Sequence, residues 1–139
     1  MAKRVLVVDD HAPTRSLIRS ILDAEKGDVF EVVEASNGVE CLKAADSNGP
    51  FDLILLDVNL PDVDGFEVCR GLRRVDPRVP IVFVTGKGEL RDYASGRDAG
   101  GDSYLVKPIA RASLRSIVGL FTSVDRSLPA ETKPEPSEK

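Results

Sequence analysis

Along this chain, short uninterrupted apolar runs alternate with longer segments whose apolar positions recur at helical spacing. Val5-Leu6-Val7-Val8 has no polar break, so it reads as a strand buried on both faces; a half-buried strand would alternate. Pro13 suits the first turn of a helix, and Leu17, Ile18, Ile21 and Leu22 supply its apolar stripe up to Gly27-Asp28. Val29 to Glu34 alternates more, as a strand nearer an edge would. Asn37-Gly38 opens a second helix with Val39, Leu42 and Ala45 facing inward, and Ser47-Asn48-Gly49-Pro50 stops it. Phe51 to Leu56 is the most apolar run and predicts the central strand. After the loop Asn59 to Gly65, a third helix carries Phe66, Cys69, Leu72 and Val75 inward and breaks at Asp76-Pro77.

Ile81 to Val84 predicts a fourth strand and Asp102 to Val106 a fifth. Between them, residues 89 to 99 form a poor helix with Leu90, Tyr93 and Ala94 inward and Gly96 weakening its interior by about 1 kcal/mol. A last helix over residues 110 to 124 buries Leu114, Ile117, Val118 and Phe121. Five strand-helix units imply one α/β domain: a parallel sheet, right-handed crossovers and helices on both faces. The domain is expected over residues 1 to 126. Residues 127 to 139, rich in Pro and Glu, read as a disordered tail or a linker to something longer.

Composition narrows the picture little. Apolar residues make up 42% and charged residues 30%, as in an ordinary soluble domain. The net charge of −4 argues against non-specific nucleic-acid binding, and Arg70, Arg73, Arg74 and Arg78 read as a solvated helix face. Cys41 and Cys69 lie within predicted helices without metal-ligand spacing and read as buried reduced thiols. No apolar run is long enough for a membrane span, and a strand beginning almost at once leaves no room for a signal peptide. A cytoplasmic location follows as the expectation.

The chemistry lies at the strand ends. Asp9-Asp10 closes the first strand, Asp57 follows the third, Thr85 the fourth and Lys107 the fifth. In open α/β sheets, ligands bind outside the carboxyl ends of strands, where the strand order reverses. If the first and third strands are neighbours there, one pocket collects three carboxylates. Two carboxylates about 4 Å apart repel by about 4 kcal/mol, so such a cluster takes up a proton or binds a cation, and hard oxygen donors favour Mg²⁺. A remaining carboxylate can attack phosphorus, while a lysine and a hydroxyl offset charge on the phosphoryl group.

The stretches Val5 to Asp10, Leu53 to Gly65, Val84-Thr85-Gly86 and Asp102 to Pro108, in this order and spacing, resemble the receiver domain of two-component response regulators over residues 3 to 124. The resemblance implies a flavodoxin-like fold with strand order 2-1-3-4-5. It implies that Asp57 accepts a phosphoryl group from a phosphohistidine on a sensor histidine kinase or a histidine phosphotransfer protein. Asp10 would bind Mg²⁺ directly, Asp9 through a metal-bound water, and Asn59 through its backbone carbonyl. Lys107 would pair with Asp57 and then with the phosphate. Thr85 and Tyr104 would act as switch residues, and the Lys107-Pro108 bond would be cis. Phosphorylation would re-form a partner surface on the fourth helix, fifth strand and fifth helix, read by an effector protein or effector domain, or by a second copy in a homodimer. Such a domain is not an enzyme in the usual sense; it promotes its own phosphorylation and dephosphorylation.

Two departures stand out. Lys87 replaces an acidic residue that some receivers carry, which leaves the dephosphorylation rate open. Ile109 and Ala110-Arg111-Ala112 replace the phenylalanine and acidic helix start of many transcription-factor receivers, which puts their dimer salt bridges in doubt. His11, at a helix entrance, reads as polar surface. Two rivals are an aspartyl-phosphate phosphatase of the haloacid-dehalogenase type and a pseudo-receiver that binds partners without phosphorylation. The first needs an Asp-x-Asp nucleophile on the first strand. The second conflicts with all five positions being filled.

Overall fold

The computed structural model describes residues 2–86 and 93–123. The expected tail over residues 127–139, Lys87, Leu90 and the side chain of Tyr93 lie outside the described residues. Five strands, β1 (Lys3–Val8), β2 (Phe30–Ala35), β3 (Leu53–Asp57), β4 (Ile81–Thr85) and β5 (Ser103–Val106), alternate with five helices. These are α1 (Ala12–Asp23), α2 (Gly38–Asn48), α3 (Gly65–Val75), α4 (Tyr93–Ala99) and α5 (Arg111–Thr122). The sheet is parallel throughout, in the order β2-β1-β3-β4-β5. The most apolar run is thus central and the alternating β2 is an edge, as the pattern predicts.

Period-two geometry splits the strand residues between two layers. Leu6, Val8, Ile54, Leu56, Ile81 and Phe83 face Cys41, Val68, Cys69 and Leu72 of α2 and α3. Val5, Val7, Leu53, Leu55, Val82 and Val84 face Ile18, Ile21 and Leu22 of α1 and Leu114 and Val118 of α5. Both faces are covered, so the inner strands are apolar throughout until their carboxyl ends. Burial pushes the Cys41 thiol up to about 12 and the Cys69 thiol up to about 11, which leaves both protonated and inert.

Helix faces are where the expectations slip. Leu17, Val39 and Val75 are exposed, although each falls on an expected stripe. In α2 the buried residues are Gly38, Cys41 and Ala44, one position away from the expected face. The N-terminus of α2 explains the rotation. Asp62, reaching from the β3–α3 loop, accepts the N–H of Gly38 at 2.8 Å and of Val39 at 3.0 Å, which fixes the helix about its axis. Asn37 caps the next free donor by accepting the Glu40 N–H.

In α4, Ala94 is exposed while Gly96 and Ala99 are buried. Gly96 therefore does more than weaken the helix: a Cβ there would overlap the Tyr104 hydroxyl. Arg73 also corrects the reading of a solvated basic face. Its guanidinium donates to the Gly100 and Val79 carbonyls and to Asp102 Oδ2, tying α3 to the α3–β4 and α4–β5 connections.

Candidate functional site

β1 and β3 are adjacent, and β2 lies on the far side of β1, so the strand order reverses between them. Their carboxyl ends carry Asp9-Asp10 and Asp57, and each of these three residues offers a carboxylate oxygen within 4.8 Å of the others. Asp10 is exposed, whereas Asp9 and Asp57 are only 2% and 5% exposed. Asp9 Oδ1 accepts the His11 N–H at 2.9 Å. Asp9 Oδ2 is buried with no hydrogen-bond partner, although the Lys107 ammonium stands 2.9 Å away at ion-pair distance. Asp57 Oδ1 accepts the Asn59 N–H at 3.0 Å, and Lys107 Nζ donates to Oδ2 across 3.4 Å.

Burial is the main influence on Asp57, raising its pKa from the ordinary 3.8 to about 6. The charge of Asp9 adds to that rise; the Asn59 amide and the Lys107 ammonium oppose it. For Lys107, burial alone would favour the neutral amine. The contacts with Asp9 and Asp57 outweigh it and hold the ammonium above the usual lysine value. Two carboxylates and one ammonium therefore share a desolvated pocket with negative charge in excess. This all-oxygen donor set, in which Asp9 Oδ2 is matched only by the Lys107 ammonium, fits a hard divalent cation.

Thr85 and Lys107 meet at the same rim, whereas Tyr104 lies two residues before the end of its strand. Asp57 pairs in register with Val84, next to Thr85, which is fully buried at the end of β4. The Lys107 N–H donates to the Thr85 carbonyl at 2.7 Å, so the backbone sets the position of one relative to the other. Tyr104 stands beside Phe83, ring centroids 5.4 Å apart, on the face of the sheet that carries α3. Asn59 is exposed at the start of the loop, and the Lys107–Pro108 bond is cis. His11 is exposed, its Nδ1 3.0 Å from Thr14 Oγ1, as expected of a polar helix entrance.

Two supporting residues, Arg15 and Asp62, carry no local sequence signal, while Gly65 serves backbone geometry, as a glycine closing the loop Asn59 to Gly65 suggests. Arg15 donates to the Asp9 carbonyl at 2.7 Å and to Glu34 at 2.9 Å, fixing the backbone of the acidic pair. Asp62 anchors the loop that holds Asn59. Gly65 permits close packing: a Cβ there would stand 2.5 Å from the Asp57 carbonyl and 2.7 Å from Val58 Cα. Each acts across a tertiary contact.

Fold and site together define a doubly wound domain with an acidic, lysine-bearing pocket at its switch point. The chain belongs to the response regulator receiver domain family, whose model matches residues 5–119. It is 43% identical over 108 residues to the transcriptional regulatory protein ResD of Bacillus subtilis, a match covering 77% of this chain and 42% of ResD. The chain spans about half the length of the curated relatives it matches. A CheY-like receiver domain protein from Methanospirillum hungatei superposes with a TM-score of 0.78 at 29% identity, covering 88% of this chain and 95% of that one. The receiver domain of the sensor histidine kinase PA1611 from Pseudomonas aeruginosa, solved with a magnesium ion in its active-site cleft, gives a TM-score of 0.78 at 27% identity. That match covers 89% of this chain and 100% of that one.

Proposed function

We propose that Asp57 is the phosphoacceptor of a signalling switch. The observation that carries this reading is the buried Asp57 carboxylate beside both the acidic pair and Lys107 at one strand-end rim. An Asp57 oxygen attacks the phosphorus of a phosphohistidine, on a sensor histidine kinase or a phosphotransfer protein. The P–N bond breaks as the P–O bond forms, and the imidazole leaves. Asp9, Asp10, Asp57 and the Asn59 carbonyl would hold Mg²⁺, which would supply charge neutralisation at the phosphoryl oxygens. Lys107 exchanges its contact with Asp57 Oδ2 for one to the phosphoryl group, adding positive charge from a fixed position.

Thr85 then donates its hydroxyl to the phosphoryl group and Tyr104 follows on the neighbouring strand, which alters the α4-β5-α5 face. An effector protein, an effector domain or a second copy of the chain reads that face, in the cytoplasm. The domain occupies residues 1 to 126, and residues 127 to 139 serve as a linker or tail. Phosphorylation and hydrolysis are promoted by the chain's own residues, without turnover of a separate substrate. Among the described residues no helix is long and apolar enough to cross a membrane. The phosphatase alternative would need its nucleophile on β1, whereas the isolated aspartate here ends β3.

Incubation with Mg²⁺ and acetyl phosphate, followed by phosphate analysis, tests the proposal. Acid-labile phosphate is expected on the protein and should disappear in Asp57→Ala. Equal labelling of both proteins, or none of either, would refute it.

A further inference from the structure

Gly96 lies buried in the middle of α4, where a side chain would ordinarily help the helix. A Cβ at this position would overlap the Tyr104 hydroxyl oxygen and stand 3.0 Å from both Tyr104 Cζ and Phe83 Cε2. The Tyr104 ring therefore occupies volume that any other residue at position 96 would take. Phe83 forms the floor of this seat, its own ring 5.2 Å from Phe66 in an edge-on contact.

The seat cannot widen by a small shift of α4, because the end of that helix is fixed. Gly100 takes a positive φ of 107°, and two hydrogen bonds close the terminus: Gly101 N–H to the Gly96 carbonyl at 2.9 Å and Gly100 N–H to the Arg97 carbonyl at 3.0 Å. Arg73 donates twice to the Gly100 carbonyl, at 2.9 and 2.7 Å, and the Cys69 thiol donates to the Ala99 carbonyl at 3.4 Å. The first of the terminal bonds is made by Gly96 itself. Retreat of residue 96 from Tyr104 would thus break the contacts that join α4 to α3.

We infer that Gly96 is the positioning residue of the Tyr104 ring, its missing side chain setting whether that ring packs inward over Phe83 or turns out toward the α4-β5-α5 face. The inference rests on the reading of Tyr104 as a switch residue. It adds the element that the ring docks against and a single position that controls the balance. Tightly packed sites accept an added methyl only by displacing a neighbour, and with α4 held the neighbour that yields is the ring.

The test is NMR on the full chain, reading nuclear Overhauser contacts between the Tyr104 and Phe83 rings, both metal-free and with Mg²⁺ and beryllofluoride. Wild type should show them. Gly96→Ala should lose them by roughly ten-fold or more in both states. Its helical circular dichroism and its beryllofluoride response at the Asn59 amide should stay unchanged. In Gly96→Ala/Tyr104→Phe the hydroxyl overlap is gone, and ring contacts with Phe83 should return in part. Unchanged contacts in Gly96→Ala overturn the inference. So does failure of the double variant to recover any, which would trace the loss to the helix instead of the hydroxyl. If beryllofluoride leaves wild type unaltered, the phosphorylation reading falls, and the metal-free spectra still decide the role of Gly96.

Discussion

Replacing Asp57 by asparagine should stabilise the metal-free protein at neutral pH. The pKa of Asp57 rises from 3.8 to about 6, chiefly through burial. At 1.36 kcal/mol for each pH unit, keeping this group ionised in the folded state costs about 3 kcal/mol. The sign follows from proton uptake. Between 3.8 and about 6 the folded carboxyl holds a proton that the unfolded chain has released, so stability falls as pH rises through that window and the cost is complete above it. Asparagine removes that cost. The opposing Lys107 contact is already contained in the shift, so the net gain at pH 7.5 is about 3 kcal/mol, with Lys107 keeping Asp9 at 2.9 Å. Urea unfolding in EDTA, followed by circular dichroism at pH 7.5 and 4.5, measures it. At pH 4.5 the cost in wild type has fallen to about one third, so the gain should shrink to about 1 kcal/mol. Saturating Mg²⁺ should narrow the gap at pH 7.5, since a cation that binds the folded state stabilises wild type more. An Asp57→Asn protein no more stable than wild type at pH 7.5, or a gain independent of pH, would refute the reasoning.

Two further substitutions probe neighbouring parts of the site. Lys107→Met removes the ammonium that opposes the rise at Asp57, so the Asp57 carboxyl should titrate above 6 by ¹³C NMR and labelling by acetyl phosphate should slow by about ten-fold. An unchanged titration would show that the 3.4 Å contact carries no electrostatic weight. Gly65→Ala places a methyl against the Asp57 carbonyl and Val58 Cα, both backbone atoms with no flexible end to give way. A loss of about 2 kcal/mol in urea unfolding is expected, and a loss under about 0.5 kcal/mol would mean that α3 can retreat from β3.

What is legible in the sequence is what repeats locally. Val5 to Val8 and Leu53 to Leu56 announce strands buried on both faces because every residue of each is apolar, and the structure buries all of them. Strand ends are equally local, so Asp9, Asp57, Thr85 and Lys107 fall on one rim from the pattern alone. Helix faces are less legible. A stripe at spacings of three and four is broad enough to tolerate a rotation of one residue. What fixes the rotation of α2 is Asp62, which lies beyond the whole of β3 in the chain. Gly96 is the same lesson in reverse: its local signal, a weakened helix, is real, and its cause is a ring on β5 that no nearby residue reveals.

The costs of the site and the bracing around it belong to one arrangement. Asp9 Oδ2 lacks a hydrogen bond and Asp57 is desolvated, so the pocket is held away from its own electrostatic optimum. Such a cost persists only where the surrounding structure over-determines it. Here β1 and β3 are paired on both edges, Arg15 fixes the Asp9 carbonyl, and Asp62 ties the Asn59 loop to α2. The pocket therefore cannot relax by moving its carboxylates apart. It has room to respond to added positive charge, or to the proposed conversion of Asp57 into a larger anion whose oxygens accept hydrogen bonds. Under the proposed phosphorylation of Asp57, that response would pass to Thr85 at the end of β4 and from there to Tyr104 on the neighbouring strand, because the acidic side is already fixed.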